Sequence, residues 1–289
     1  MKILLFGGSG QLGFELKKRA SDLDFTVVSP VTAEVDITDR EQVSFLAQSV
    51  HPTLIINSAA YTAVDKAEED KERAFAVNRD GARNIAEACG KLGIRMIHLS
   101  TDYVFDGLSG KPVSETDPTN PLSVYGASKL AGERAVTEVL GDRGLILRTS
   151  ALHGQKGVNF VHTMVKLFQE KEVVKVVNDQ WMSPTWAGWL AESVLDFARM
   201  DCGGVVHASC SGGISWFEFA SEVLELVRPH FPEKKLARVE PTTASELNRP
   251  APRPVYSVFE LTKITQLLGR APISWKIGLQ NHIKDIGIG

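Results

Sequence analysis

The stretch KILLFGGSGQLGFELKKRA, Lys2 to Ala20, decides the fold. Lys2–Phe6 is a short apolar run closed by glycine, the mark of a strand buried on both faces. Gln11–Ala20 has helical spacing, with Leu12 and Leu16 on one side. Between them Gly7, Gly10 and Gly13 form G-x-x-G-x-x-G. Glycine permits the tight turn, lets the backbone come close to a phosphate and lets the helix sit near the strand. The free N–H groups and positive dipole end of the helix then suit a pyrophosphate. A glycine triplet is common in turns. Its place at the first strand–helix junction makes this one a dinucleotide loop.

The pattern repeats outward from there. Strands are predicted at Phe25–Val28, Thr53–Asn57, Ile94–Ser100 and Leu145–Arg148. Helices are predicted from Asp39, an N-cap with Gln42 three residues on, to about Val50, then over Lys71–Leu92 and Ser123–Leu140. Strand and helix in alternation with short links give an α/β fold, a Rossmann-type doubly wound parallel sheet. The second half is less regular. Helices are expected near Asn159–Gln169, Trp186–Ala198, Trp216–Val227 and Val258–Leu268, and short strands near Val173–Val177 and Val205–Ala208. Arg249–Pro254 is proline-rich and reads as an extended loop. The expected organisation is a dinucleotide-binding domain over residues 1–150, to which later segments return, and a smaller C-terminal substrate lobe over 151–289.

Bulk properties exclude several classes. The chain has 289 residues, 43% of them hydrophobic, and a net charge of −3 with no basic stripe, so nucleic acid is not expected as a partner. No segment has the length of a membrane span, and the apolar run at the start is too short for a signal peptide. The three cysteines are scattered, which fits a reducing, cytoplasmic setting. The seven histidines show no metal-ligand spacing, and no metal is predicted.

Two further stretches carry chemistry. The fourth strand runs into Ser100-Thr101-Asp102-Tyr103, and Tyr125 and Lys129 lie one turn apart on the helix that follows. Hydride addition to a ketone leaves an oxygen that needs a proton. A free phenol, near pKa ~10, is a poor acid–base at neutral pH, and an adjacent ammonium lowers it. A Thr101 hydroxyl can donate to the same oxygen. YxxxK alone arises often by chance. Its conjunction with the glycine loop and a hydroxyl at the end of strand four is what gives it weight. Strand two ends in Ser29-Pro30, with neither the acid that holds a 2′-hydroxyl nor an arginine for a 2′-phosphate, so NADPH and NADH both remain open. Asp36 either reaches the adenine side or simply ends a loop.

These motifs resemble the extended short-chain dehydrogenase/reductases, and within them the dTDP-4-dehydrorhamnose reductase family. The resemblance rests on GGSGQLG (Gly7–Gly13), INSAAYTAVDKAE (Ile56–Glu68), HLSTDYVFDG (His98–Gly107) and NPLSVYGASKLAGE (Asn120–Glu133), with LRTS, NF at Asn159–Phe160 and DQWMSPT (Asp179–Thr185) beyond. It implies Thr101, Tyr125 and Lys129 as catalytic residues, with Tyr125 protonating the C4 oxygen of a nucleotide-linked keto-sugar. It implies a cofactor site of Gly7, Gly10, Gln11, Leu12, Gly13, Asp36, Ile37, Ala59, Ala60 and Tyr61 beside Tyr125 and Lys129, and passes Arg148–Ser150 near the nicotinamide. It places Thr62, Val64, Asp102, Tyr103 and Ala151 toward the sugar, and makes Asn78 a structural asparagine. The chain departs from the family where a sugar-flanking Trp is usual (Ala151), at the family's Tyr (His153), at a glycine (Met182) and in the segment Arg253–Phe259. Some members bind a metal at a dimer interface; Glu15 matches one ligand, but Gly188 stands at another, and a homodimer is left open. A related epimerase or 4-ketoreductase, and a non-catalytic NADP-binding regulatory subunit, are the alternatives.

Overall fold

The computed structural model describes residues 1–287. Its centre is a six-stranded parallel sheet. β1 (Lys2–Phe6) leads through α1 (Gln11–Ala20) to β2 (Thr26–Val28), and α2 (Arg40–Val50) leads to β3 (Leu54–Asn57). After β3 come α3 (Val64–Ala67), α4 (Lys71–Phe75), a π-helical turn (Ala76–Gly81) and α5 (Ala82–Leu92), then β4 (Arg95–Thr101), α6 (Val124–Leu140) and β5 (Gly144–Thr149). The strand order reverses between β1 and β3, which pair in register from Ile3↔Leu54 to Phe6↔Asn57. In open α/β sheets that reversal opens a crevice at the carboxyl ends of the strands.

The second half begins with β6 (Leu152–His153), α7 (Phe160–Glu170), β7 (Val173–Val177), β8 (Trp181–Met182), β9 (Thr185–Trp186) and α8 (Ala187–Ala198). It continues with β10 (Gly204–His207), β11 (Ile214–Ser215), α9 (Trp216–Val227), β12 (Arg238–Thr242), α10 (Ala244–Leu247), α11 (Thr262–Leu268) and α12 (Trp275–Asp285). Two of these segments rejoin the first layer: β10 pairs with β5 at the sheet edge, and α8 packs on α1. One face of the sheet carries α2, α5 and α6 over a core that includes Leu4, Ile55, Ile85 and Val136. The other face shares a continuous apolar cluster from Ile3 and Leu16 through Trp189 and Val194 to Phe219 and Leu279, so the C-terminal elements pack on the same core.

Asp39 caps α2 as expected, accepting from the N–H groups of Glu41 and Gln42. Gln42 does not return the bond to the Asp39 N–H; its Oε1 accepts from Asp36 N at 3.1 Å. The long helix over 71–92 is interrupted by the π turn. There Asn78 is buried and its side chain holds Tyr61 N, Tyr61 O and Ser128 Oγ, while its carbonyl oxygen lies 2.2 Å from where a Cβ on Gly132 would stand. The helix widens to bring that asparagine and its carbonyl against α6. The helix expected from Val258 starts only at Thr262. Val258 and Glu260 instead bridge to Val113, which accepts from Glu260 N at 2.8 Å and donates to Val258 O at 2.9 Å. α12 is an element the sequence reading did not anticipate.

Candidate active site

The glycine loop sits at the sheet reversal. Gly7 has φ +84°, and a Cβ there would lie 2.4 Å from Ala59 N; one on Gly13 would lie 2.3 Å from Gly7 O. Both contacts are backbone on backbone, so nothing but glycine lets these segments approach. Gly10 is the N-cap of α1 and brings no side chain to the first-turn N–H groups, and that turn holds no acid. Gln11 and Leu12 open the helix. Gln11 Oε1 is buried without a hydrogen-bond partner among the described residues. Open amides and a close backbone fit a dinucleotide pyrophosphate. Ala59 and Ala60 follow β3 directly, and Ala59 N donates to Asn57 Oδ1 at 3.1 Å. Tyr61 turns its hydroxyl to Asp70 Oδ2 at 3.1 Å. Asp36 caps its own turn, accepting from the N–H and hydroxyl of Thr38, and this holds its carboxyl below the usual range. Ile37 packs its side chain under Gly81.

The catalytic trio comes from two elements. Thr101 ends β4, and Tyr125 and Lys129 lie on the first turns of α6. Ser123 caps that helix, accepting from Gly126 N at 3.1 Å. Gly126 is required: a Cβ there would lie 2.2 Å from Tyr103 O. This contact sets α6 on the segment after β4 and brings the rings of Tyr103 and Tyr125 edge to face at 5.5 Å. Lys129 is buried, and its Nζ donates to Leu99 O at 2.6 Å. Desolvation lowers its pKa to about 8, with Glu133 pulling upward.

One expectation about protons needs correcting. The Tyr125 phenol is pushed above its ordinary pKa, first by desolvation; Thr101 pulls it down, and Asp102 and Tyr103 push it further up. The ammonium expected to lower it is turned to a main-chain carbonyl. The Thr101 hydroxyl donates to Asp102 Oδ1 at 3.1 Å and accepts from Tyr103 N at 3.3 Å.

The residues expected to face the sugar divide. Thr62 is exposed and Val64 half-buried at the start of α3. Asp102 is 3% exposed, and both its oxygens are taken by hydroxyls. Tyr103 is pushed up to about 12, chiefly by burial, and neighbours the Arg253 guanidinium. Ala151 has φ +42°, a left-handed conformation that costs a non-glycine residue about 1–2 kcal/mol. Strain of this kind collects at functional sites. Met182 is buried, and Trp181 is 38% exposed.

Some residues around the site were not singled out in sequence. Glu133, one turn beyond Lys129, accepts from Ser100 Oγ at 2.5 Å and from Arg148 Nε and Nη2 at 2.9 and 2.7 Å, all buried. Arg253 holds Asp65 with two hydrogen bonds, Nη1–Oδ1 at 3.0 Å and Nη2–Oδ2 at 2.9 Å, and this pair lowers the Asp65 carboxyl. The proline-rich segment is therefore a strap fixed across the end of the site.

Comparison with known proteins agrees with this geometry. A family model described as the RmlD substrate binding domain matches residues 1–288. The chain is similar to a dTDP-4-dehydrorhamnose reductase of Streptomyces griseus, 41% identical over 265 residues that cover 90% of this chain and 86% of that one. It is similar to a dTDP-4-keto-6-deoxy-D-glucose reductase of Streptomyces niveus, 39% identical over 88% of this chain and 87% of the other. Its structure is similar to that of a Bacillus anthracis dTDP-4-dehydrorhamnose reductase in complex with NADP, with a TM-score of 0.92, 35% identity, and coverage of 98% and 99%.

Proposed function

We infer the function from one premise: the chain belongs to the RmlD substrate binding domain family. The protein is an oxidoreductase of nucleotide-linked sugars that uses NADPH or NADH. It reduces the C4 ketone of a 6-deoxy sugar, converting dTDP-4-dehydro-L-rhamnose to dTDP-L-rhamnose. The observation that carries this reading is the placing of Thr101, Tyr125 and Lys129 at the end of β4 and the start of α6, in the same sheet-end crevice as the glycine cradle at the β1/β3 reversal. No helix among the described residues is long and apolar enough to cross a membrane. All three cysteines are free. Both suit an enzyme of the cytoplasm.

The residues divide the work as follows. The backbone of Gly7, Gly10, Gln11, Leu12 and Gly13 holds the pyrophosphate, Asp36 and Ile37 border the adenosine, and Ala59, Ala60 and Tyr61 line the cofactor's path. When bound, the reduced nicotinamide supplies a hydride to the ketone carbon. Tyr125 gives its hydroxyl proton to the ketone oxygen. Lys129 keeps one N–H on Leu99 O and offers the other two to the nicotinamide ribose. Thr101 holds the Tyr125 hydroxyl in place. Residues 1–150, with α8 and β10 returning to them, form the cofactor half, and the later elements close over the sugar. Ala151 and Met182 reshape the wall around that sugar relative to the family pattern, which favours as a second reading a different 4-keto sugar on the same chemistry.

The test is oxidation of NADPH and of NADH with freshly made dTDP-4-dehydro-L-rhamnose. Tyr125→Phe is expected to lower kcat by ~10²–10⁴-fold with cofactor affinity kept. Full activity in that variant would refute the assignment of the acid.

A further inference from the structure

The strap closes one side of a cavity of about 220 Å³ that lies apart from the glycine cradle. Its other walls are the end of β7 at Val177, the turn at Asp179 and Gln180, and α10 with Leu247. Cavities that take a whole drug-sized ligand run to about 300–1,000 Å³, so this one suits one end of a longer molecule. It lies two contacts from the catalytic phenol: Arg253 lines it and neighbours Tyr103, whose ring meets that of Tyr125 at 5.5 Å.

Four polar side chains line the cavity, Asp179, Gln180, Arg249 and Arg253. Two of them are satisfied. Arg253 donates to Asp65 and, from Nη1, to Ala251 O at 2.8 Å. Asp179 accepts from Ala244 N with both oxygens, at 3.0 Å. The other two are not. Arg249 forms no ion pair and no side-chain hydrogen bond among the described residues, and burial and the like charge of Arg253 hold its pKa below the ordinary value. Gln180 is 6% exposed, and its carboxamide makes no hydrogen bond among the described residues. Folded chains leave few buried polar groups without partners, so this pair marks a place for a ligand.

Chemistry narrows the ligand. In a pyranose, C4 and the anomeric C1 lie on opposite sides of the ring. With the C4 ketone at Tyr125, the group on C1 points away from the phenol. In a nucleotide sugar that group is a diphosphate, which calls for a cation, and beyond it comes a base, a flat ring with one polar edge. Arg249 is exposed at the rim, and its planar fork of donors fits phosphate oxygens. Gln180 is the more deeply buried of the two, and apolar walls at Val177, Leu247 and Pro252 suit the faces of a base. A carboxamide sets a donor beside an acceptor, the complement of the N3–H and carbonyl of thymine or uracil.

We propose that this cavity is the nucleoside-diphosphate subsite, in which Arg249 pairs with the diphosphate and the Gln180 carboxamide pairs with the imide edge of a pyrimidine base. The inference rests on the reductase reading for the sugar end of the ligand; the two unpartnered side chains stand without it.

The probe is dTDP alone, titrated calorimetrically into the NADP-bound full chain, so that no turnover is needed. Arg249→Met keeps the stem and removes the charge, and Kd for dTDP is expected to rise ~10–100-fold. Gln180→Leu is expected to raise it ~10-fold, as is methylation of thymine N3 with the unaltered protein. These two losses should not add: Gln180→Leu should bind dTDP and its N3-methyl form alike. Fluorescence titration with NADPH reports that each variant is folded. If Gln180→Leu does not fold, the methylated nucleotide on the unaltered protein carries that half of the test. An unaltered protein that ignores dTDP at millimolar concentration overturns the proposal, and so does an Arg249→Met variant that binds it equally well. An N3-methyl nucleotide held as tightly as dTDP overturns the assignment of Gln180. Binding of dTDP that depends on Arg249, in a protein that reduces no keto-sugar, would uphold the subsite and overturn the reductase reading instead.

Discussion

Glu133→Ala would separate a buried ion pair, and its cost follows from the surroundings. The side chains of Glu133 and Arg148 are 4% and 5% exposed. Glu133 receives two hydrogen bonds from Arg148 and one from Ser100. Among the described residues Arg148 Nη1 already lacks a hydrogen-bond partner, and the guanidinium otherwise meets the ring of Phe105, 5.1 Å from its centre. The arginine is itself buried, near the carboxyl end of a strand flanked by β4 and β10. Alanine would leave an uncompensated cation in the core. Breaking one partner of such a pair costs about 3–5 kcal/mol, whereas replacing both with apolar groups of similar volume is often neutral or better. At about 2 °C per kcal/mol for a chain somewhat above the 150–250-residue range, Tm should fall by about 6–10 °C. Urea unfolding followed by circular dichroism reads the same change as a lower midpoint. Glu133→Leu combined with Arg148→Met should recover most of the loss. A loss below about 1 kcal/mol for the single variant would refute the buried-charge argument. So would a double variant as unstable as the single one.

Two further outcomes test the cradle and the core. Gly13→Ala should abolish NADPH binding in a fluorescence titration, because its Cβ meets the Gly7 carbonyl at 2.3 Å; Gly90→Ala, whose Cβ would touch only side chains at 3.7 Å and beyond, should bind normally. Equal affinities would mean that the two segments are not in contact. Burial holds His98 and His153 well below their ordinary pKa, and His207 and His282 down to about 3. The unfolded chain titrates its histidines near ~6.5, so it binds more protons than the fold below that pH. Stability is therefore complete above ~6.5 and is lost as pH falls from there toward 3, by up to ~1.4 kcal/mol per pH unit for each histidine. Urea midpoints that agree at pH 7 and pH 5 would place these rings outside the core.

The parts of the molecule that were legible are those in which chemistry and chain order coincide. Buried parallel strands are continuous apolar runs, and each ends where its loop must begin, so the glycine cradle and the Tyr125–Lys129 pair could be located on the fold before any coordinates. α12 is legible too, though less plainly. Its buried residues, Trp275, Gly278, Leu279, His282 and Ile283, fall at helical spacing behind the Ser274 cap, but a glycine and a histidine on the buried face disguise the stripe. The strap was legible as extended chain and illegible as part of the site, since its bonds reach across 155 and 188 residues to Asp102 and Asp65. No local pattern encodes such a distance. Spacing also misled where two groups compete for a third. Helical i, i+4 placement brings Lys129 near Tyr125, but the ammonium is drawn to the Leu99 carbonyl. Which of two neighbours holds a proton depends on what else is buried beside them. For a reductase whose acid must arrive protonated, that assignment sets how fast the chemistry runs at a given pH.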